Sequence, residues 1–301
     1  MISKSLQRWK AKGQYFDYKG HNIFYVKEGK GPVLLMMHGY PLSTYDWRDI
    51  WDALKEKYLL IAPDMLGMGI SDKPKNYNYS CHDHADMHTE FLSHLGSDEC
   101  HIMSHDLANS VVQELIVRHN KGANPFKIHS IGFLNGGLFI DVYDPRIIQK
   151  LLSFTPKPIG KIIAKLMNKK RFSRAMNEMF GPKTKPTEEE MYEYWQIVNY
   201  NDGKSVTHLV GRFIKDRQDN AKEWVKGMQD TSIPMRYIDG PCDPNSGRHM
   251  AKRYEELIPN ADVVYLRDDI GHWPQIEYPE GVLEAYFAFR EKVAEEPYNQ
   301  Y

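Results

Sequence analysis

Cysteine is scarce: Cys81, Cys100 and Cys242 are the only three in 301 residues. An odd count without CxxC spacing argues against a disulfide framework and against a cysteine-based zinc site, and free thiols fit a reducing compartment. An excess of one charge is missing too, since 39 Lys+Arg against 40 Asp+Glu leave a net charge of −1. No basic surplus neutralises phosphates, so no nucleic-acid partner is expected. Long apolar runs are absent: the longest aliphatic stretches, Val33 to Met37 and Leu59 to Ala62, fall far below the roughly 18–20 residues of a membrane span. The opening segment MISKSLQRWKAKGQYF carries positive charge but no apolar stretch of signal-peptide length, so a cytoplasmic location is expected. Repeats and low-complexity tracts are lacking, which sets aside solenoid and linker architectures. With 42% hydrophobic and 26% charged residues the composition is that of an ordinary soluble globular protein, long enough for one large or two ordinary domains.

The order of apolar segments is informative. FDYKGHNIFYVKEG reads as a hairpin about Lys19-Gly20, and GPVLLMMHG, KYLLIAPD, ECHIMSHD and KIHSIGFLNGG read as buried strands separated by helical stretches. From about Pro145 to Trp224 the strand signal stops, and helices broken by Pro156, Pro158, Pro182 and Pro186 take over. Strands resume in SIPMRYIDG and ADVVYLRDDIG, each followed by a helix pattern. The expected class is α/β: a mostly parallel, doubly wound sheet with an inserted helical cap. Its core would span 1–150 and 226–301, and the cap 151–225.

In such a sheet, ligands bind where strands end. Ser104-His105-Asp106-Leu107-Ala108 lies between a strand and a helix, and small residues two before and two after the apex suit a strained strand-to-helix elbow. An aspartate there can attack a saturated carbon without help from a base and leave an alkyl-enzyme ester, which an activated water must then hydrolyse. The rival reading of Asp106 is a simple helix cap. His272, in the loop after the last strand, can serve as base for the water, and Asp243, in Gly240-Pro241-Cys242-Asp243-Pro244, can orient it. Asp239 is the rival acid, placed before the turn glycine. His38-Gly39-Tyr40-Pro41 can aim the Tyr40 N–H into the site, where it joins the Leu107 N–H as an oxyanion hole.

Together these segments resemble the α/β-hydrolase superfamily, and within it the haloalkane dehalogenase and epoxide hydrolase branch that uses an aspartate nucleophile. The resemblance rests on HGYPLSTYDWRDIW, APDMLGMGISDKP, SHDLANSVVQEL, GPCDP and GHWPQIEYP, which occur in that branch's order, nucleophile then acid then base. SRAMNEMFGP and NYNDG are most similar to the mesoderm-specific transcript family. The resemblance implies the α/β-hydrolase fold, a small apolar electrophilic substrate and water as partners, and neither cofactor nor metal. It implies epoxide opening to a diol, with haloalkane dehalogenation as an alternative and a non-catalytic binding protein or an acyl hydrolase as further ones. Dehalogenases of this branch hold the halide with a Trp after the nucleophile and an Asn or Trp in the HGxP segment, positions filled here by Leu107 and Tyr40. Leucine offers no side-chain N–H to a departing anion, which favours the epoxide. Relatives protonate the epoxide oxygen with cap tyrosines. Tyr194 and Tyr200 are the candidates, ahead of Tyr192 and Tyr143, and His38 and Trp273 complete the expected substrate-binding set.

Two further features have plainer explanations. His84 and His88 are spaced i, i+4, a metal-binding interval, but a polar outer helix face accounts for them without a third ligand. MNKKRFSR, four basic residues in eight, reads as the solvated face of a cap helix.

Overall fold

The structure, a computed structural model, describes residues 2–295. Eight strands, β1 (Gly13–Tyr18), β2 (His21–Gly29), β3 (Val33–Met37), β4 (Leu59–Pro63), β5 (Glu99–Ser104), β6 (Lys127–Leu134), β7 (Met235–Asp239) and β8 (Asp262–Tyr265), form one sheet in the order β1-β2-β4-β3-β5-β6-β7-β8. The hairpin turn has positive φ at both Lys19 and Gly20, the backbone that matches strand twist in a two-residue connection. β1, β2 and β4 pair antiparallel, and β4 through β8 pair parallel.

Helices cover both faces, as parallel strands require. They are α1 (Lys4–Ala11), α2 (Arg48–Lys55), α3 (Cys81–His94), α4 (Leu107–Asn120), α5 (Ile147–Phe154), α6 (Lys157–Leu166), α7 (Lys169–Asn177), α8 (Glu188–Asn199), α9 (Thr207–Val210), α10 (Phe213–Asp230), α11 (Arg248–Leu257), α12 (Pro274–Glu277) and α13 (Pro279–Glu295). Side chains alternate across the sheet. Leu35, Met37, Ile102 and Phe133 point to the layer of α3, α4, α10 and α11, whereas Leu34, Met36, Met103 and Leu134 point to that of α1, α2 and α13. A third cluster joins Phe172, Met176 and Phe180 to Leu42 and Trp273, so the inserted helices rest on the loops at the carboxyl edge of the sheet.

Among the described residues no strand lies between Leu134 and Met235. The division drawn from the sequence at 225/226 falls within α10, which lies along α4: Trp224 Nε1 donates to Glu114 at 3.0 Å, and Gly227 faces Val117. In α3, Cys81, His84, Ala85, His88, Phe91 and Leu92 share one inward face. This corrects the expectation of an outer polar face for the two histidines. Both are buried, His88 Nδ1 donates to the His84 carbonyl at 2.7 Å, and burial pushes His84 down to about 4 and His88 to about 3. In α7, by contrast, Lys169, Lys170, Arg171 and Arg174 are exposed while Phe172 and Met176 turn inward.

Beyond β4 a buried carboxylate organises the loops over the site. Asp64 accepts from Thr44 N at 2.8 Å and from Ile70 N at 2.6 Å. Replacing it strands both N–H groups, each costing about 1–3 kcal/mol when buried without a partner. Asp64→Ala should therefore lose about 2–4 kcal/mol in urea unfolding; a loss within 0.5 kcal/mol, the usual scatter of surface changes, would assign the loop's order to something else.

Candidate active site

β5 ends at Ser104 and α4 begins at Leu107, leaving two residues to reverse the chain. Asp106 makes that turn at φ 49° and ψ −107°, a strained conformation for a residue with a side chain. Its neighbours admit it by being small. A Cβ on Gly39 would stand 2.8 Å from Asp106 Cβ, and one on Gly136 would stand 2.8 Å from Asp106 Cα. Asp106 N donates to the Asn135 carbonyl at 2.8 Å, and Arg217 Nη2 donates to the Asp106 carbonyl at 2.8 Å. The side chain makes no capping bond to α4 and is directed elsewhere.

The two carboxylate oxygens have different surroundings. Oδ2 accepts from Tyr40 N at 3.1 Å. Oδ1 is buried without a hydrogen-bond partner and lies 3.9 Å from His272 Nε2 and 3.6 Å from Arg217 Nη2. His272 Nδ1 donates to Asp243 Oδ2 at 2.8 Å, which leaves Nε2 as the acceptor facing Asp106. Asp243 is held in turn by Asn245 N at 2.8 Å, the Ser246 hydroxyl at 2.6 Å and Asn135 Nδ2 at 3.2 Å. Leu107 is fully buried and follows the elbow directly, with its N–H at the opening of α4.

The charges in this cluster support one another. Burial works against the Asp243 carboxylate, but the His272 charge and the hydrogen bonds from His272, Ser246 and Asn245 pull it down to about 2. Burial also works against a charged His272, yet Asp243, with Asp106 farther away, outweighs it and raises the imidazole above its ordinary value. Asp239 stands outside the arrangement. Both its oxygens are unpaired, and burial followed by repulsion from Asp243 lifts it to about 8. The loop carrying His272 is tied to the inserted segment by the half-buried Glu277, which accepts from Gly271 N, Trp273 N, Gly181 N and the Thr184 hydroxyl. His272 N itself donates to the Met179 carbonyl at 3.0 Å.

A cavity of about 590 Å³ opens beside this cluster, walled by Tyr40, His272 and Trp273 on one side and by Ile147, Met167 and Met176 of the inserted helices on the other. Trp273 borders it, stacked on Phe180 with ring centroids 4.8 Å apart. Three other expected positions lie away from it. Both ring nitrogens of His38 are occupied by backbone, Nδ1 donating to Gly39 O and Nε2 accepting from Met65 N, each at 2.9 Å. The expectation that Tyr194 and Tyr200 face the substrate does not fit the structure. Tyr194 packs on Phe180 and accepts from Arg48 at 3.1 Å, and Tyr200 accepts from Lys10 of α1 at 2.6 Å. Long helix spacing from the elbow hid this, because helix register alone does not say which neighbour a buried phenol meets. Arg217, Asn135 and Glu277 were not anticipated. The Asn135-Gly136-Gly137 run at the end of β6 was a usable signal, but nothing local marks Arg217, which lies 111 residues beyond the aspartate it contacts.

Residues 32–279 match the model of the alpha/beta hydrolase fold family. The chain belongs to that family. This α/β-hydrolase is 36% identical to the mesoderm-specific transcript protein of Mus musculus over 297 residues, 96% of this chain and 88% of the mouse protein. Among solved structures it is similar to the epoxide hydrolase CorEH, with a TM-score of 0.75 and 22% identity over 93% of this chain and 99% of that one. It is also similar to the haloalkane dehalogenase DbeA of Bradyrhizobium elkani, with a TM-score of 0.76 and 18% identity over 94% and 98%. At those identities the two structures speak for the fold.

The sign of the pH dependence follows from the shifts. Because folded His272 holds its proton more tightly than an unfolded imidazole, its stabilisation is complete below about pH 6.5 and fades as pH rises through the raised value. Asp243 acts oppositely: its contribution is present above about pH 3.9 and is lost as pH falls towards about 2. Asp243→Asn removes the main influence that raises His272, so the NMR titration of that imidazole should move to lower pH. A titration that stays in place or moves upward would refute Asp243 as its partner.

Proposed function

We propose that this chain is a hydrolase that opens epoxides through a covalent ester on Asp106. The observation that carries the reading is the unequal treatment of the two Asp106 oxygens. Oδ2 is bound by the Tyr40 N–H, and Oδ1 has no hydrogen-bond partner and lies 3.9 Å from Nε2 of His272, a residue of the cavity wall. Oδ1 is the attacking atom and Oδ2 becomes the ester carbonyl oxygen, already seated on an oxyanion donor. Helices α5 to α9 serve as the cap that closes the apolar cavity against water.

Attack of Oδ1 on an epoxide carbon breaks the ring C–O bond, and the oxygen released there takes a proton. Tyr40 supplies it, being among the described residues the one tyrosine that lines the cavity; its hydroxyl now donates to the Thr207 carbonyl at 3.2 Å. Burial, reinforced by Asp106, raises the Tyr40 phenol above its ordinary pKa and keeps it protonated for that task. In the second step His272 Nε2 removes a proton from water, the hydroxide adds to the ester carbon, and the N–H groups of Tyr40 and Leu107 hold the oxyanion. Collapse expels the diol; the protons then on His272 and on the carboxyl group restore the product hydroxyl and the Tyr40 phenol. Asp243 keeps the imidazole in the right tautomer throughout. Arg217 adds positive potential at the elbow and fixes its carbonyl.

Loss of a halide is less well served, because the residue after the nucleophile is Leu107, which has no side-chain donor. The two readings separate on intact mass after a panel of small epoxides and bromoalkanes. His272→Gln should accumulate an adduct equal to the whole epoxide, absent when Asp106→Asn is added, and Tyr40→Phe should slow ester formation by about 10²–10⁴-fold while sparing the backbone N–H. An adduct of the alkyl group alone would establish dehalogenation instead. An active Asp106→Ala enzyme would sink the covalent mechanism.

A further inference from the structure

Six of the eight large apolar side chains that are strongly exposed among the described residues fall within 20 consecutive positions: Ile147, Leu151, Phe154, Ile159, Ile162 and Leu166. On α5 the first three are spaced i, i+4, i+7, and on α6 the last three are spaced i, i+3, i+7, so each helix presents one apolar stripe. The inward face of α6 is mostly small: Gly160 lies against His208, Ala164 is buried, and Ile163 is half-buried on the cavity wall. This is the reverse of an ordinary surface helix, which turns its large apolar residues to the core. Exposed apolar stripes on two successive helices mark an interaction surface.

The charge around the stripes names the occupant. Between Pro145 and Asn177 the sequence has nine Lys or Arg and no Asp or Glu, in a chain whose net charge is −1. Lys157, Lys161 and Lys165 follow one another along exposed positions of α6, and among the described residues no carboxylate pairs with them. We propose that the α5–α6 face docks on an anionic phospholipid bilayer, its isoleucines, leucines and Phe154 entering the interface while the lysines lie along the headgroups. Docking is interfacial, since no helix among the described residues is long and apolar enough to cross a membrane. A second copy of the chain is a poorer occupant, because a two-fold contact would set the same cations against each other. The surface adjoins the cavity: Ile147, Lys150, Arg171 and Arg174 belong both to this basic segment and to the cavity wall. A docked molecule therefore turns its cavity towards the lipid. The proposal does not rest on the reaction at Asp106, because its readout is binding.

The test is co-sedimentation of the full chain with vesicles of phosphatidylcholine, with and without phosphatidylserine, at low and high salt. Binding should be at least about tenfold stronger with phosphatidylserine and should weaken as salt is raised. Two triple variants at exposed positions, Lys157→Gln with Lys161→Gln and Lys165→Gln, and Ile159→Ser with Ile162→Ser and Leu166→Ser, should each lose about tenfold or more in affinity. Their thermal midpoints should match that of the parent, which separates lost docking from lost folding. Failure of the full chain to sediment with phosphatidylserine vesicles would overturn the proposal, as would binding that neither variant weakens. Concentration-dependent self-association that the serine variant abolishes, without vesicle binding, would overturn it in favour of a second copy.

Discussion

Holding an aspartate at positive φ costs about 1–3 kcal/mol, and the surroundings of Asp106 are arranged so that the chain has no cheaper place to put it. Its N–H is taken by Asn135 O and its carbonyl by Arg217, while the missing side chains of Gly39 and Gly136 leave the space the turn occupies. Release of either hydrogen bond would orphan a buried polar group, a penalty comparable to the strain itself. The elbow is thus held from three directions: by the loop after β3, by the end of β6, and by a helix that follows the insertion. This convergence aims the carboxylate out of the sheet at a fixed spot.

The same constraint shapes the electrostatics. Asp106 and Asp243 are both buried, and two carboxylates at the mouth of one sheet would repel if nothing lay between them. His272 lies between, bonded to one and 3.9 Å from the other, and Arg217 Nη2 lies 3.6 Å from the Asp106 carboxylate. Asp239, lacking such a partner, is the carboxyl that yields and takes up its proton more readily. The inserted helices belong to this balance as well as to the cavity, because Gly181 N, the Thr184 hydroxyl and the Met179 carbonyl tie Glu277 and the His272 N–H to residues 179–184. They also carry the exposed apolar stripes and the basic run from Arg146 to Arg174, so one inserted segment both braces the His272 loop and bears that outer surface.

Much of this was legible in the residues. Apolar runs of five or so flanked by glycine and proline announce buried strands, and a strand running straight into a helix through Ser104-His105-Asp106 can be made only by a sharp elbow. The Lys19-Gly20 turn, the helical block after Pro145 and the loop positions of His272, Asp243 and Tyr40 follow from the same local chemistry. The α3 histidines read wrongly because i, i+4 spacing is equally a feature of an inward and an outward face. Only the core decides which one a given pair takes, and here Cys81, Ala85 and Phe91 carry His84 and His88 inward.

What the sequence by itself determined is the set of elements, their order and the chemical types at strand ends, since these depend on interactions within a few residues. Tertiary structure decided which of those types meet. Arg217 reaches Asp106 across 111 residues, Asn135 chooses Asp243 over Asp239, and Tyr194 and Tyr200 are drawn off to Arg48 and Lys10. Such pairings follow from the closure of the sheet and the seating of the insertion on it, a geometry to which every element contributes and which no local pattern encodes.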